Sequence, residues 1–319
     1  MNDSAALHGR SGILGCIGNT PLVELSDKLK PANSARVFVK LEMMNPTGSM
    51  KDRMALAMIE EAEKSGKIKP GFEVVEFSSG STGTSLALVC AAKGYPVRIV
   101  TSDAFSDEKL NHMRALGAEL LLIPSHGHGS TKALFTEMIE KTRELSRQAN
   151  IYWTDQMNNH DMLAGYRTLG EEIWQQTGGN ITAFVHSVGS CGSLRGVSTE
   201  LRRCDPGISV VAVEPTESAV LSGGQPGSHS IEGMGAGFIV SHWSPDLAGE
   251  IVTVSTKEAY EGALSLVKKE CIFAGPSSGA NVVAALRVAE RLPPDAIVVT
   301  LLPDSGFKYL STPLYRQLS

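Results

Sequence analysis

The sequence predicts an α/β protein built in two lobes, and three observations carry that prediction. Short apolar runs alternate with helical patterns along the chain, and Gly and Pro fall at the joints between them. A chain of 319 residues that is 42% hydrophobic and 20% charged can also bury more than one core. Strand candidates, rich in Val, Ile and Leu, fall at 36–41, 74–77, 97–101, 119–123, 183–188, 208–213, 251–254 and 296–302. Lys69-Pro70-Gly71, Lys93-Gly94-Tyr95-Pro96 and Leu292-Pro293-Pro294-Asp295 mark ends of units. No internal repeat or low-complexity segment interrupts the series. The Gly- and Ser-rich tract 222–237 predicts a long loop, either a functional one or a surface excursion.

The first long helix has the most informative entry. Asn45-Pro46-Thr47-Gly48-Ser49-Met50-Lys51-Asp52-Arg53 places a single lysine directly after a tight polar turn. Ser49 and Asp52 fit a Ser-x-x-Asp helix start, and Met50, Met54, Met58 and Ala62 recur every four residues as one apolar stripe. Lys51 is thereby predicted in the first turn and off that stripe. There the positive end of the helix dipole disfavours an ammonium, so a neutral amine able to attack a carbonyl is easier to populate. A Schiff-base lysine and an ordinary solvated lysine both fit this stretch alone.

Three further segments join strands to helices where backbone amides can converge on an anion. Ser78-Ser79-Gly80-Ser81-Thr82-Gly83 follows a strand and precedes an apolar helical run, so its hydroxyls and amides suit a carboxylate; a plain turn is the competing reading. Gly189-Ser190-Cys191-Gly192-Ser193 lies between the strand at 183–188 and a helix carrying Leu194, Val197 and Leu201. That junction suits a phosphate group, but matches neither G-x-G-x-x-G nor a P-loop, which disfavours a dinucleotide or nucleoside triphosphate. Cys191 reads as a small inert residue, since no catalytic His pattern accompanies it. Gly275-Pro276-Ser277-Ser278-Gly279-Ala280 opens the last long helix, placed at 281–292, with two hydroxyls where capping needs one.

Composition excludes other classes. A net charge of −5 with scattered basic residues leaves no electrostatic footprint for nucleic acid and favours a small-molecule partner. Cys16, Cys90, Cys191, Cys204 and Cys271 are odd in number and lack a C-x-x-C pair, which argues for buried free thiols over a disulfide framework or a zinc site. His126 and His128 flank one glycine with no complete ligand set nearby, so no metal is expected. Met1 to Ser11 are polar, and no stretch approaches a membrane span, so the expected location is cytoplasmic, with no membrane partner.

These segments, taken in order, resemble the cysteine synthase and cystathionine β-synthase family, pyridoxal 5'-phosphate (PLP) enzymes of fold type II. The resemblance also covers Ile17-Gly18-Asn19-Thr20-Pro21-Leu22, Gln156-Met157-Asn158-Asn159, Glu232-Gly233-Met234-Gly235-Ala236-Gly237-Phe238 and Leu302-Pro303-Asp304-Ser305-Gly306, and so spans nearly the whole chain. It implies a tryptophan synthase β-like architecture in which each lobe is a twisted, mostly parallel sheet flanked by helices. The smaller mobile lobe would be 45–155, and the larger cofactor lobe 12–44 plus 156–319. Lys51 would carry the aldimine and later act as base, while Gly189, Ser190, Cys191, Gly192 and Ser193 would cradle the cofactor phosphate. Ser277 would face the pyridine nitrogen; a neutral serine there makes a weaker electron sink and steers the chemistry to β-elimination over transamination. Ser78, Ser79, Gly80, Thr82 and Gln156 would bind the substrate carboxylate, and Gly233, Met234 and Gly235 would line the entrance.

Two departures from the family pattern stand out. Ser81 occupies the position of an asparagine that approaches the cofactor ring oxygen, and Cys191 stands where the family has a conformationally freer glycine. The leading implied function is β-replacement through an α-aminoacrylate, with O-acetylserine and sulfide giving L-cysteine and acetate. Condensation with homocysteine, use of O-phosphoserine, a catabolic lyase or dehydratase, and a non-catalytic role as partner of serine acetyltransferase are the alternatives. The sequence ending soon after Tyr309-Leu310-Ser311-Thr312 shifts the expectation toward cysteine synthesis, and an intact Lys51 weighs against a purely binding role. The resemblance further implies a homodimer, and an active site able to dock the acetyltransferase C-terminal tail.

Overall fold

The structure is a computed structural model and describes residues 12–127 and 131–316. The reading of Met1 to Ser11 and of His128 lies outside those residues. In chain order the strands are β1 (Leu22–Glu24), β2 (Arg36–Lys40), β3 (Glu73–Phe77), β4 (Val97–Ser102), β5 (Glu119–Ile123), β6 (Ile151–Trp153), β7 (Ala183–Ser187), β8 (Ser209–Pro215), β9 (Glu250–Val254) and β10 (Ile297–Leu301). The helices are α1 (Lys51–Lys64), α2 (Ser81–Lys93), α3 (Asp107–Ala115), α4 (Lys132–Ser146), α5 (Met162–Gln176), α6 (Gly192–Cys204), α7 (Thr256–Ser265), α8 (Pro276–Ala289) and α9 (Pro313–Arg316).

Two separate sheets result. One has six strands in the order β1-β2-β10-β7-β8-β9, all parallel except the β1–β2 pair; the other has four parallel strands in the order β5-β4-β3-β6. Parallel strands need helical crossovers that cover both faces, which is why runs such as Ala183 to Ser187 are buried throughout instead of alternating. All eight predicted strands are present with ends shifted by at most two residues, as for 208–213, which runs from Ser209 to Pro215. β1 and β6 were not predicted; at three residues each they are too short to display a period.

The main core lies between the sheets. Met54, Met58, Leu86, Val89 and Ile99 join Phe184, Leu194, Val210 and Val299 in one buried cluster, so α1, α2, α5 and α6 are shared filling between the two layers. A second cluster, with Val37, Val185, Val213, Ala284 and Ala285, packs α8 on the outer face of the six-stranded sheet. A third, with Val75, Val100, Leu134 and Met138, packs α4 on the outer face of the smaller sheet.

Two local expectations are corrected. Ser49 and Asp52 do not form a capping box: Ser49 Oγ accepts from the Lys51 amide at 3.2 Å, and Asp52 turns back to accept from Thr47 N at 2.8 Å, Thr47 Oγ1 at 2.5 Å and Ser85 Oγ at 2.6 Å. Three donors converging on a buried carboxylate outcompete a solvent-side cap. The last long helix starts at Pro276 instead of 281, because Pro at N1 is pre-organised for a helix start and Gly275 precedes it in extended conformation. Ser277 and Ser278 therefore lie inside its first turn. The tract 222–237 contains no helix or strand, as expected of a loop.

Candidate active site

Lys51 is the first residue of α1, and the turn before it is stitched to the far end of the chain. Met50 N donates to Pro303 O at 2.8 Å, Ser305 N donates to Gly48 O at 3.0 Å, and Ser49 pairs with Asp304 as an antiparallel bridge. The apolar stripe of Met50, Met54, Met58 and Ala62 is buried, which holds Lys51 on another face of the helix. Burial is the largest influence on its amine and lowers the pKa to about 8; Asp304 opposes the shift and Lys308 adds to it. Desolvation thus makes the neutral amine accessible, a cause the sequence reading, which invoked the helix dipole, did not name.

The 78–83 turn lies at the end of β3 and leads into α2. Ser78 is buried, and its Oγ accepts from the amides of Gly80 at 3.0 Å and Gly83 at 2.9 Å, so it shapes the turn. Thr82 Oγ1 donates to Gln156 Oε1 at 2.7 Å, and Gln156 Nε2 donates to Phe77 O at 2.8 Å. These bonds bring Ser78, Thr82 and Gln156 together, with Ser79 and Ser81 half-buried beside them. Sequence reasoning missed Glu76 behind them. Its buried carboxylate, pushed up to about 7 by desolvation, accepts from Thr154 Oγ1, Gln156 N, Trp153 Nε1 and Phe77 N at 2.6 to 3.1 Å.

The 189–193 segment forms the junction of β7 and α6. Cys191 is the N-cap residue with φ 68°, a left-handed conformation that favours glycine, and burial lifts its thiol to about 12, which fits the inert reading. Gly189 is required by close approach, since a Cβ there would stand 2.5 Å from Gly233 O, whereas a Cβ on Gly192 would press on the Met162 side chain, 2.1 Å from its Sδ. A relay below the loop was also missed. Asn281 Nδ2 donates to His186 Nδ1 at 3.1 Å, and burial, then Lys51, lowers the His186 pKa to about 3. The neutral ring therefore carries its proton on Nε2 and donates to Ser193 Oγ at 2.8 Å. The Ser193 hydroxyl proton is left for an acceptor at the start of α6.

Gly235 N donates to Val188 O at 2.9 Å, which fixes the 233–235 segment over the same junction, with Met234 buried and Gly233 exposed. Ser277 is buried at the start of α8, and the neighbouring Ser278 Oγ is buried with no partner among the described residues. Ser81 bridges two charged groups: Lys308 Nζ donates to its Oγ at 3.2 Å, and that hydroxyl donates to Asp304 Oδ2 at 3.5 Å. Lys308 was not singled out from sequence, and Asp304 was quoted only as part of the 302–306 segment, with no role. Ser81→Asn is expected to displace Lys308 and change the rate of the first half-reaction measured by stopped-flow absorbance; identical kinetics in both proteins would remove Ser81 from specificity. Among the described residues no group of three metal-ligating side chains occurs, and His126 is exposed.

An enclosed amine of lowered pKa, a glycine-tight helix start with a proton-donating serine, and an unpartnered buried serine hydroxyl suit a phosphorylated aldehyde. The sequence model of the pyridoxal-phosphate dependent enzyme family matches residues 13–304, so the chain is a PLP enzyme, and its two-lobed α/β fold is fold type II. Within that class it belongs to the cysteine synthase and cystathionine β-synthase family. It is 44% identical over 306 residues to a cysteine synthase of Staphylococcus aureus, covering 94% of this chain and 95% of that one. A probable cysteine synthase of Bacillus subtilis is 41% identical over 304 residues, covering 94% and 96%. The crystal structure of O-acetyl serine sulfhydrylase isoform 3 from Entamoeba histolytica superposes with a TM-score of 0.92 at 37% identity, covering 99% of this chain and 94% of that one.

Proposed function

We propose that this chain makes L-cysteine and acetate from O-acetyl-L-serine and sulfide by PLP-dependent β-replacement. The reading is supported by the Lys51 amine, desolvated to a pKa of about 8 and felt by His186 beneath the start of α6, in a chain 44% identical to a cysteine synthase. Lys51 would hold the cofactor through Nζ, residues Gly189, Ser190, Cys191, Gly192 and Ser193 would hold its phosphate, and Ser277 would meet its ring nitrogen. The bound cofactor supplies an electron sink for the α-carbon of an amino acid.

The chain's own residues do the remaining work. The amides of Ser79 and Thr82 and the Ser79 hydroxyl bind the substrate carboxylate at the positive end of α2, on a turn held in shape by the bonds of Gly80 to Ser78 and of the Thr82 hydroxyl to Gln156, with Glu76 behind. Lys51 Nζ removes the α-proton, and its lowered pKa keeps the unprotonated amine populated near neutral pH. Acetate then leaves from the β-carbon and sulfide adds there, with Lys51 returning the proton to the α-carbon. Gly233, Met234 and Gly235 line the entrance. A smaller lobe, 45–155, closes on a larger one, 12–44 with 156–319, to exclude water.

The protein works as a cytoplasmic homodimer that can receive the C-terminal tail of serine acetyltransferase in its active site. Among the described residues no helix is long and apolar enough to cross a membrane. The test is to add O-acetylserine to cofactor-loaded protein, record the visible spectrum, then add sulfide and assay cysteine. Loss of the resting band on donor addition and its return with stoichiometric cysteine is the expected outcome. An unchanged spectrum with O-acetylserine, but a response to O-phosphoserine, would overturn the donor assignment.

A further inference from the structure

One charged pair has no part in the roles above. Lys109 lies on α3, beside the four-stranded sheet, with its side chain only 4% exposed. Its stem runs across Gly80, where an added Cβ would stand 2.6 Å from Lys109 Cδ. The ammonium is thus carried past the turn assigned to the substrate carboxylate. There it pairs with the Glu232 carboxylate and stands 4.6 Å from the centroid of the Tyr309 ring, whose hydroxyl donates to Asp304 Oδ2 at 2.7 Å. Glu232 comes from the segment after β8: it leads into Gly233 and Gly235, which pack on Gly189 and Val188 at the start of α6. The pair therefore ties the carboxylate turn to the anion cradle.

The two members are not equally free to move. Lys109 is enclosed, and an ammonium removed from water needs a counter-charge. Glu232 keeps 39% of its side chain in solvent and can be rehydrated at far lower cost. An amino acid arriving at the 78–83 turn brings a carboxylate of its own, while an amine without one brings nothing to replace Glu232.

We propose that Lys109 is a further substrate-binding residue and that Glu232 is its resident counter-ion, displaced by the carboxylate of the incoming amino acid. The inference rests on the amino-acid site proposed above and adds to it a requirement: the substrate must carry a carboxylate to open the Lys109–Glu232 bridge. Discrimination is thus set at the mouth of the site as well as by the amides of the turn.

The test titrates cofactor-loaded protein with L-alanine, which has no β-leaving group, and with ethylamine, its counterpart lacking the carboxylate, following the visible band. Lys109→Met is expected to weaken alanine by about tenfold or more while leaving ethylamine nearly unchanged, and Lys109→Arg to recover most of the loss. Glu232→Gln, at a half-exposed position that threatens no core, is expected to tighten alanine several-fold without affecting ethylamine. Alanine affinity unchanged in Glu232→Gln and Lys109→Met, or alanine and ethylamine shifted equally, would overturn the proposal while leaving the amino-acid site standing. Failure of the unmodified protein to respond to alanine and O-acetylserine alike would instead overturn the site itself, and the proposal with it.

Discussion

Replacing Lys51 with methionine is expected to lower turnover by about a thousandfold or more while the fold persists. The loss is large because one amine has two tasks, to hold the cofactor and to move the α-proton, and no other group can take over both. Lys308 and Lys109 are rivals for the role, but Lys308 bonds to Ser81, and Lys109 is held by Glu232 or, on the proposal above, by the substrate carboxylate. Borohydride reduction of the loaded protein followed by peptide mass mapping checks this directly. The cofactor mass should appear on the peptide containing Lys51 and vanish from the variant; a label on Lys308 or Lys109 would sink the assignment.

A stability measurement separates lost chemistry from lost fold. Lys51 has a folded pKa lowered to about 8 from 10.5, so the folded apoprotein binds fewer protons than the unfolded chain between those values. Its burial is therefore a penalty below pH 8 that is relieved as pH rises toward 10.5. Lys51→Met apoprotein should melt no lower than the parent at pH 7, and the difference between them should shrink with rising pH. A variant that melts well below the parent would show that Lys51 is needed for folding, and its lost turnover would then say nothing about catalysis.

What could be read from the sequence follows from where each signal lies. The strand runs and the Met50, Met54, Met58 stripe are local patterns, and burial in the structure follows them closely. Lys51, the 78–83 turn and the 189–193 loop are each continuous segments at strand-to-helix joints, so residue type and order were enough to single them out. The partners that tune them are distant in sequence. Asp304 and Lys308 reach Ser81 from more than 220 residues away, and Glu232 reaches Lys109 across 123. No periodicity connects such positions. Glu76 was hidden for another reason: it sits inside an apolar run, where a single charge reads as the solvent face of a strand, whereas here four donors satisfy it in the interior. Ser49 and Asp52 show the converse, a valid local signature overridden by donors from the preceding turn, at Thr47, and from Ser85 on α2.

The second large effect is expected at Arg53, two residues beyond Lys51 and buried to 3% exposure. Its guanidinium holds two carboxylates, Glu42 by Nε at 2.8 Å and Nη2 at 2.9 Å, and Glu172 by Nη1 and Nη2 at 2.8 Å each, while Lys40 Nζ reaches Glu172 at 2.7 Å. Glu42 in turn accepts from Asn45 Nδ2 at 2.9 Å, and Asn45 Oδ1 accepts from Gly18 N at 2.8 Å, so the network anchors the turn that presents Lys51. Arg53→Met leaves Glu42 buried without its cation, and breaking a buried pair in this way costs about 3–5 kcal/mol. The variant should lose roughly 5–10 °C in Tm at pH 7 and bind the cofactor less tightly, because the Lys51 turn loses its anchor. Acid should narrow the gap. Burial alone would raise the Glu172 pKa, but Arg53 and Lys40 hold it down to about 2 against an ordinary 4.5, so its contribution is present above pH 4.5 and is lost as pH falls toward 2. The parent should therefore lose stability faster than Arg53→Met across that window. Parallel acid curves with equal midpoints at pH 7 would mean that the charged network contributes nothing that an apolar side chain of similar reach does not.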